Sequence, residues 1–548
     1  MSKLLVSSFL VTATTIVVVL VAPITTAQTQ PTPPPAHTGP LFQSSAQCMT
    51  CHNGLTTASG EDVSFGTLWR ASMMAHSARD PYWQAGVRRE VTDHPRAQAA
   101  IENECSRCHM PMAHVDTQRR GGQQSVFANI PLASPAAPVD PLAVEGVSCA
   151  MCHQIKSDGL GSKASFTGGF VIETAPPQQG RQMFGPYEVE PGPRSVMRSA
   201  TGLQPTASTH IQRSEICATC HTLYTHALNA SGEATSEFPE QMPYQEWLHS
   251  EFRDSQSCQS CHMPVVTEPM PIASVVGQPR DAVSRHDFRG ANFLMLGILN
   301  RFRAELGVVA RPAELDAAVL RTKAFLQSSS ANVAVESARV VGGRLEADVV
   351  VRNLAGHKLP TAYPSRRSWL RVTVRDGEGR LVFSSGDVEP TGAITGNDND
   401  RNAARFEPHY REIRSGDEVQ IYEAIMGTAT GQVTTGLLSA VTYLKDNRLP
   451  PRGFDKRTAP ADVAVHGDAL ADPDFGAGED RVRYSIDTAG APGPFTIDAQ
   501  LWYQSIAYRW ARNLDGYKAA EPQRFTSYYD QVAPESALML TRATRTVD

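Results

Sequence analysis

None of the ten cysteines of this chain stands alone, no long basic run occurs, and after residue 27 no apolar stretch is long enough to span a bilayer. Each absence excludes something. Without a basic stripe, and with Lys+Arg 50 against Asp+Glu 56 for a net charge of −6, nucleic acid is not the main partner. Charged residues at 19% and hydrophobic residues at 41% exclude a disordered or fibrous chain. No cysteine pair lies near a βαβ pattern, which excludes a thioredoxin-like redox site. The stretch Asp398-Asn399-Asp400 lacks the Gly and the closing Glu of an EF-hand loop, so it reads as a solvated turn. The 548 residues leave room for three or four domains.

The N-terminus reads as a targeting segment. Lys3 precedes a mostly apolar run from Leu4 to Ala22, then Pro23-Ile24-Thr25-Thr26-Ala27, so residues 1–27 form a signal peptide with cleavage near Ala27. An uncleaved anchor is the alternative, and the only route to membrane association. Residues 28–41, with Pro31 to Pro35, are a stiff linker. The mature chain is expected outside the cytoplasm, periplasmic or extracellular, where disulfides are permitted.

The cysteine spacing rejects disulfides. All ten fall into five C-x-x-C-H motifs: Cys48/Cys51/His52, Cys105/Cys108/His109, Cys149/Cys152/His153, Cys217/Cys220/His221 and Cys258/Cys261/His262. Chance would give on the order of 0.005 such motifs in a chain of this composition, and the pattern is that of c-type haem attachment. Two thiols add to the vinyl groups of one haem, and the adjacent imidazole ligates its iron. Zinc sites also use C-x-x-C pairs but do not require a His after every second Cys. Five covalently bound haem c groups, with their iron, follow, and the porphyrins supply apolar core to a Gly- and Pro-rich stretch.

Five irons call for distal ligands. Of 16 His, eleven remain after the proximal five. His76 in "WRASMMAHSARDP", His114 in "CHMPMAHVD", His210 in "STHIQRSEIC" and His286 in "SRHDFRGANF" are candidates, with a surface or packing role as the alternative for each. Met73 and Met74 compete as thioether ligands; His94, His226 and His249 are weaker candidates. His37 lies in the linker.

After the last motif the pattern changes. Phe293–Leu306 and a segment from Pro312 to the serines at 328–330 carry helical spacing. From about Asn332 apolar and polar residues alternate, as in Leu345/Ala347/Val349/Val351, Leu370/Val372/Val374 and Phe495/Ile497/Ala499/Leu501/Tyr503, with turns at Gly342-Gly343 and Asp376-Gly377. The expected fold is multidomain α+β: a mostly α and irregular multihaem domain (42–290), a helical hairpin (291–330) and a β-sandwich of immunoglobulin-like type (331–548). Within the last, "NLAGHKLPTAYPSRRSWL" holds His357 between Gly356 and Lys358 ahead of a proline-fixed loop, a candidate to reach back to a haem, with Arg366 and Arg367 placed to pair with propionates. His409 is a weaker candidate of the same kind.

The contexts "SMMAHSARDPYW", "GVSCAMCH" and "ICATCHTLYT" carry a likeness beyond the bare motif. Residues 42–290 resemble a multihaem c-type cytochrome of the cytochrome c-554-like family, the tetrahaem electron carriers of nitrifying bacteria. "GHKLPTAYPSRRSWL" and "YLKDNRLPPRGFD" resemble segments that follow such haem domains in larger cytochromes. The resemblance implies closely packed, mostly bis-histidine haems that pass electrons to and from redox protein partners. Five motifs and a long β extension depart from the tetrahaem plan. The alternative is a multihaem oxidoreductase acting on a small nitrogen or sulfur oxyanion at one five-coordinate haem. Pentahaem nitrite reductases typically use C-x-x-C-K at the catalytic haem, and no such motif occurs here, so an electron carrier is the leading reading.

Overall fold

The alternation read after Asn332 becomes two sheets. In the computed structural model of the protein, which describes residues 40–131 and 139–548, strand Arg344–Asn353 buries Leu345, Ala347, Val349 and Val351. It pairs with Ala331–Val341 on one side and Glu479–Asp487 on the other, and the short strand Glu412–Ile413 completes a four-stranded sheet. The second sheet has seven strands. Arg367–Arg375 lies at its centre between Ile421–Gly427 and Phe495–Gln504, and Ala537–Val547 forms an edge. Apolar faces of both sheets share one core. Glu412–Ile413 runs parallel to its neighbour, which departs from the all-antiparallel immunoglobulin pattern expected from the sequence.

Helix Pro312–Ser329 starts at the proline read from the sequence and buries Leu315, Thr322 and Leu326 on one stripe. It packs on Phe293–Arg301, which is buried on nearly all faces. The Arg70 guanidinium, from the first part of the chain, binds Glu314 at the start of the longer helix. Arg88 pairs with Glu521 on the C-terminal helix Ala520–Val532 at 2.8 Å. Such links join residues 40–548 into one compact unit. The signal segment and the linker up to residue 39 lie outside the described residues.

Residues 40–290 contain short helices and two-stranded ribbons. Pro81–Asp93 is the longest helix among them. Its Asp80 cap accepts from the Tyr82 and Trp83 N–H groups at 2.8 and 3.2 Å, and Pro81 supplies a preset first turn. The cysteine motifs sit on or at the ends of short helices, including Gln98–His109, Cys149–Cys152, Ser214–His221 and Cys258–His262. Helical spacing puts the two cysteines of a motif on one face. Gly146 leads into the third motif at φ +62°, and a Cβ there would come within 2.9 Å of the Met74 and Ala75 carbonyls, so only glycine permits that approach. Among the described residues no helix is long and apolar enough to cross a membrane.

Candidate haem cavity and its histidines

All ten motif cysteines and all five motif histidines line one connected cavity of about 2180 Å³, well above the roughly 300–1,000 Å³ of a single small-molecule pocket. Cys261 is exposed and the other nine motif cysteines are half-buried. Thiols of different motifs face one another: Cys48 with Cys149, Cys108 with Cys220, and Cys217 with Cys258. Disulfides do not explain the set, because among the described residues Cys105 and Cys261 face no thiol of another motif. Gly86, in the interior of Pro81–Asp93, lines the cavity where a Cβ would meet nothing within 4 Å. A glycine there weakens the helix by about 1 kcal/mol relative to alanine and leaves room for a flat group.

Four of the five motif histidines are held alike. The Nδ1–H of His52 donates to the Ile272 carbonyl at 2.6 Å, that of His109 to Ser77 at 2.8 Å, that of His153 to Phe184 at 2.6 Å, and that of His262 to Arg289. A carbonyl on Nδ1 fixes the tautomer and leaves Nε2 as the ligating atom. Burial depresses His109 and His221 to about 4, so both rings are neutral at pH 7, the form that binds metal. Trp83 lies flat against His109, with centroids 4.4 Å apart and planes at 5°, and fixes that ring further.

Two motif histidines face a second imidazole. The His153 and His286 rings are 6.3 Å apart at 13°, and those of His262 and His357 are 6.2 Å apart at 18°. Two imidazoles on one metal, with metal–nitrogen bonds of about 2.0–2.1 Å and ring centres about 1.1 Å beyond, stand ~6.3 Å apart. The Nδ1–H groups of His286 and His357 donate to the Ser284 and Lys358 carbonyls at 3.0 and 2.9 Å, again leaving Nε2 free. These residues fit haem iron. Among the described residues no second imidazole faces His52, His109 or His221 at this spacing; Phe65 lies 6.3 Å from His52.

His357 is placed by a buried ion cluster that sequence reasoning missed. Lys358, fully buried, pairs with Asp446 at 2.6 Å; Arg448 pairs with Asp446 at 2.7 Å and with Glu246 at 3.1 Å. Glu246, on helix Pro243–Leu248 before the last motif, accepts from the Lys358 N–H at 3.1 Å. Asn353 Nδ2 donates to the His357 carbonyl at 2.8 Å. Against burial, which would raise it, Arg448 and Lys358 hold the Asp446 carboxyl far below the usual range.

Three expected ligands are not brought to a motif histidine. His210 has both ring nitrogens engaged, Nδ1 with Ser208 Oγ at 2.7 Å and Nε2 with the Ile155 carbonyl at 2.8 Å. His114 shares a hydrogen bond of 2.9 Å with Ser106 Oγ, and neither His114 nor His210 reaches the cavity wall. His76 is buried with both nitrogens unpartnered among the described residues, yet it too stays off the wall. Arg367 does not face a propionate either: it holds Asp400 in a two-pronged pair at 2.9 and 2.9 Å, both side chains buried. Asp398-Asn399-Asp400 is therefore the start of a short helix, Asp398–Arg401, anchored in the core, and not a solvated turn.

His409 lies far from any motif, beside Asp472 and Asp480. Its Nδ1 accepts from Gln420 Nε2 at 2.9 Å and Asn447 Nδ2 at 3.1 Å. The amide orientations are set by the Tyr410 and Glu423 N–H groups, which donate to the two amide oxygens. Nε2 therefore donates to Asp472 at 3.2 Å. His409 is thus a buried hydrogen-bond node away from the cavity wall.

No family model matches the chain, and no curated protein does. Among solved structures, the crystal structure of a penta-haem cytochrome c552 from Thermochromatium tepidum matches with a TM-score of 0.51 at 15% identity, over 93% of this chain and 100% of that one. Haem half and β half together thus share the fold of a penta-haem cytochrome.

Proposed function

We propose that the chain is an exported c-type cytochrome that binds five haem c groups through its five motifs and passes electrons among them and to redox protein partners. Haem supplies reversible one-electron chemistry when bound; the chain's own residues attach, orient and dry it. The observation that carries the reading is the pair of imidazole spacings at His153/His286 and His262/His357, which supports His286 and His357 as the distal ligands of the third and fifth motifs. The thiol contacts support an order. Motif one lies beside three, two beside four, and four beside five; Cys152 is also near enough to Cys220 to raise its thiol beyond what burial does. The fourth motif is then a junction. The penta-haem fold supports the count of five.

Mass spectrometry of the purified protein tests this. The expected result is the chain plus five haem masses, with reduced spectra dominated by low-spin haem. Fewer than five haems overturns the reading.

A further inference from the structure

Glu240 differs from the other carboxylates near the second motif in how it is held. It is the extra residue of a β-bulge: in the ribbon of Leu223–Leu228 and Ala234–Gln241, Leu223 stands opposite Gln241 and Tyr224 opposite Pro239, with Glu240 between. Bulges re-aim a side chain, and Glu240 lines the cavity, 2% exposed. Its Oε1 accepts from Gln241 Nε2 at 2.9 Å; its Oε2 is buried with no hydrogen-bond partner among the described residues. The Thr225 hydroxyl, on the facing strand, is likewise buried and unpartnered, and Thr225 also lines the cavity. Glu90, close enough to act on Glu240, is better supplied: it accepts from the Leu437 and Leu438 N–H groups at 2.8 and 3.3 Å and has Arg89 beside it. Arg89 is also paired with Asp93 at 3.6 Å. Glu102 accepts from the Val126 and Phe127 N–H groups at 2.8 and 3.0 Å, and Glu104 pairs with Arg107 at 3.4 Å.

These four carboxylates gather at the second motif. Burial pushes the Cys105 thiol up, and the charges that add to it are Glu240, Glu90, Glu104 and Glu102, in that order and with no cation among them. The other groups facing Glu240 are phenols: Tyr363 and Tyr443 are kept protonated by burial first and by Glu240 among others. The Tyr443 hydroxyl donates to the Pro239 and Glu240 backbone carbonyls at 2.9 and 3.3 Å, not to the carboxyl. Burial, and with it Glu90, pushes the Glu240 carboxyl up to about 7 against the Gln241 amide. A proton arriving at the Glu90/Glu240 pair goes to the carboxylate with fewer donors, which is Glu240. We propose that Glu240 is a redox-linked proton site: its Oε2 binds one proton from solvent when one electron from a redox partner enters the haem on Cys105 and Cys108, and releases it when that electron leaves. The added electron lowers the charge beside the carboxyl by one, which favours its neutral form. The O–H bond made on reduction is the one broken on oxidation, so proton and electron balance. Glu104, exposed on the same cavity wall, gives the carboxylate set an end in solvent. The proposal rests on the pentahaem reading above and adds to it a coupled ion, carried at the second haem with its electron.

The test is a spectroelectrochemical titration of the full five-haem protein from mildly acid to mildly alkaline pH, with infrared spectra of the reduced minus the oxidised protein. One midpoint potential should fall as pH rises through neutrality, by up to tenfold in the coupled equilibrium per pH unit, about 59 mV for one electron. A carboxyl C=O band should appear on reduction and should move when the glutamates carry carbon-13. Glu240→Gln should abolish both and hold that potential at its acid-side value at every pH, with five haem masses retained. Glu240→Asp should keep a pH dependence, displaced. Glu90→Gln should keep it and move it to lower pH, because one neighbouring negative charge is gone. If Glu240→Gln does not fold, the labelled band and Glu90→Gln carry the test. Five haems with every potential independent of pH overturns the proposal and leaves the electron-carrier reading standing. So does a band that ignores the label, or a pH dependence unchanged in Glu240→Gln, which would give the proton to a haem propionate. Fewer than five haems overturns the reading on which the proposal rests, and the proposal with it.

Discussion

Between residues 331 and 548 side chains fill their own core: Leu345, Val349, Val372, Ile497 and Leu501 from two sheets are all inaccessible and belong to one cluster. Between residues 40 and 290 much of the apolar side-chain surface gathers instead in small clusters, such as Leu41/Met112/Met151 and Val87/Ile101/Met110, around a cavity walled by thiols and imidazoles. At about 25 cal/mol per Å² of apolar surface buried, the large cluster stabilises the second half together with Phe166, Phe238 and Tyr244 of the first, whereas the cavity of the first half leaves room for an apolar group. Under the haem attachment proposed above, the same chain holds a region whose core is encoded residue by residue and a region whose core is encoded as attachment points.

The strongest way to break this comparison is to withhold haem attachment. Expression without the c-haem maturation machinery should leave residues 40–290 open to protease while 331–548 resists; a protease-resistant haem half in the apo-protein would contradict it. Next comes the buried ion cluster that joins the halves. Asp446→Asn leaves Lys358 and Arg448 buried without their shared carboxylate, and breaking a buried pair costs about 3–5 kcal/mol, readable by denaturant unfolding. Because the Asp446 carboxyl is depressed in the fold, its stabilisation is present above the ordinary carboxylate value of about 3.9 and is lost as pH falls toward the depressed value; the variant should lack that part of the acid sensitivity. A smaller effect is expected of His357→Ala or His286→Ala. Each should turn one haem high-spin and open to carbon monoxide, and unchanged spectra would detach that residue from any iron. Smallest at the haems is His210→Ala: both nitrogens are already hydrogen-bonded, so it should cost about 1–3 kcal/mol of stability and change no haem spectrum.

The two halves were also unequally legible. Strands such as Arg344–Asn353 and Phe495–Gln504 could be read because alternation maps directly onto burial, and the motifs because their chemistry demands fixed spacing. The placement of single histidines was less accessible. His210 and His286 look alike in sequence, each in a polar stretch near a motif. What separates them is Ser208 and the Ile155 carbonyl, which occupy both nitrogens of His210, against a lone backbone carbonyl at Nδ1 of His286. The carbonyls of Ile272, Ser77, Phe184 and Arg289 that orient the motif histidines carry no side-chain signature at all. Arg366 and Arg367 are adjacent and identical; only the approach of Asp400, brought by the fold to Arg367, tells one from the other. The helix at 398–401 was misread for the same reason.

The loop carrying His357 also has a consequence in time. A chain delivered from its N-terminus presents all five motifs before it presents residue 357, and Asp446 and Arg448, which fasten that loop, come later still. Under the ligation proposed here the fifth site stays unfinished until the C-terminal half has folded and docked. A truncated product would then show itself through one high-spin, gas-binding centre.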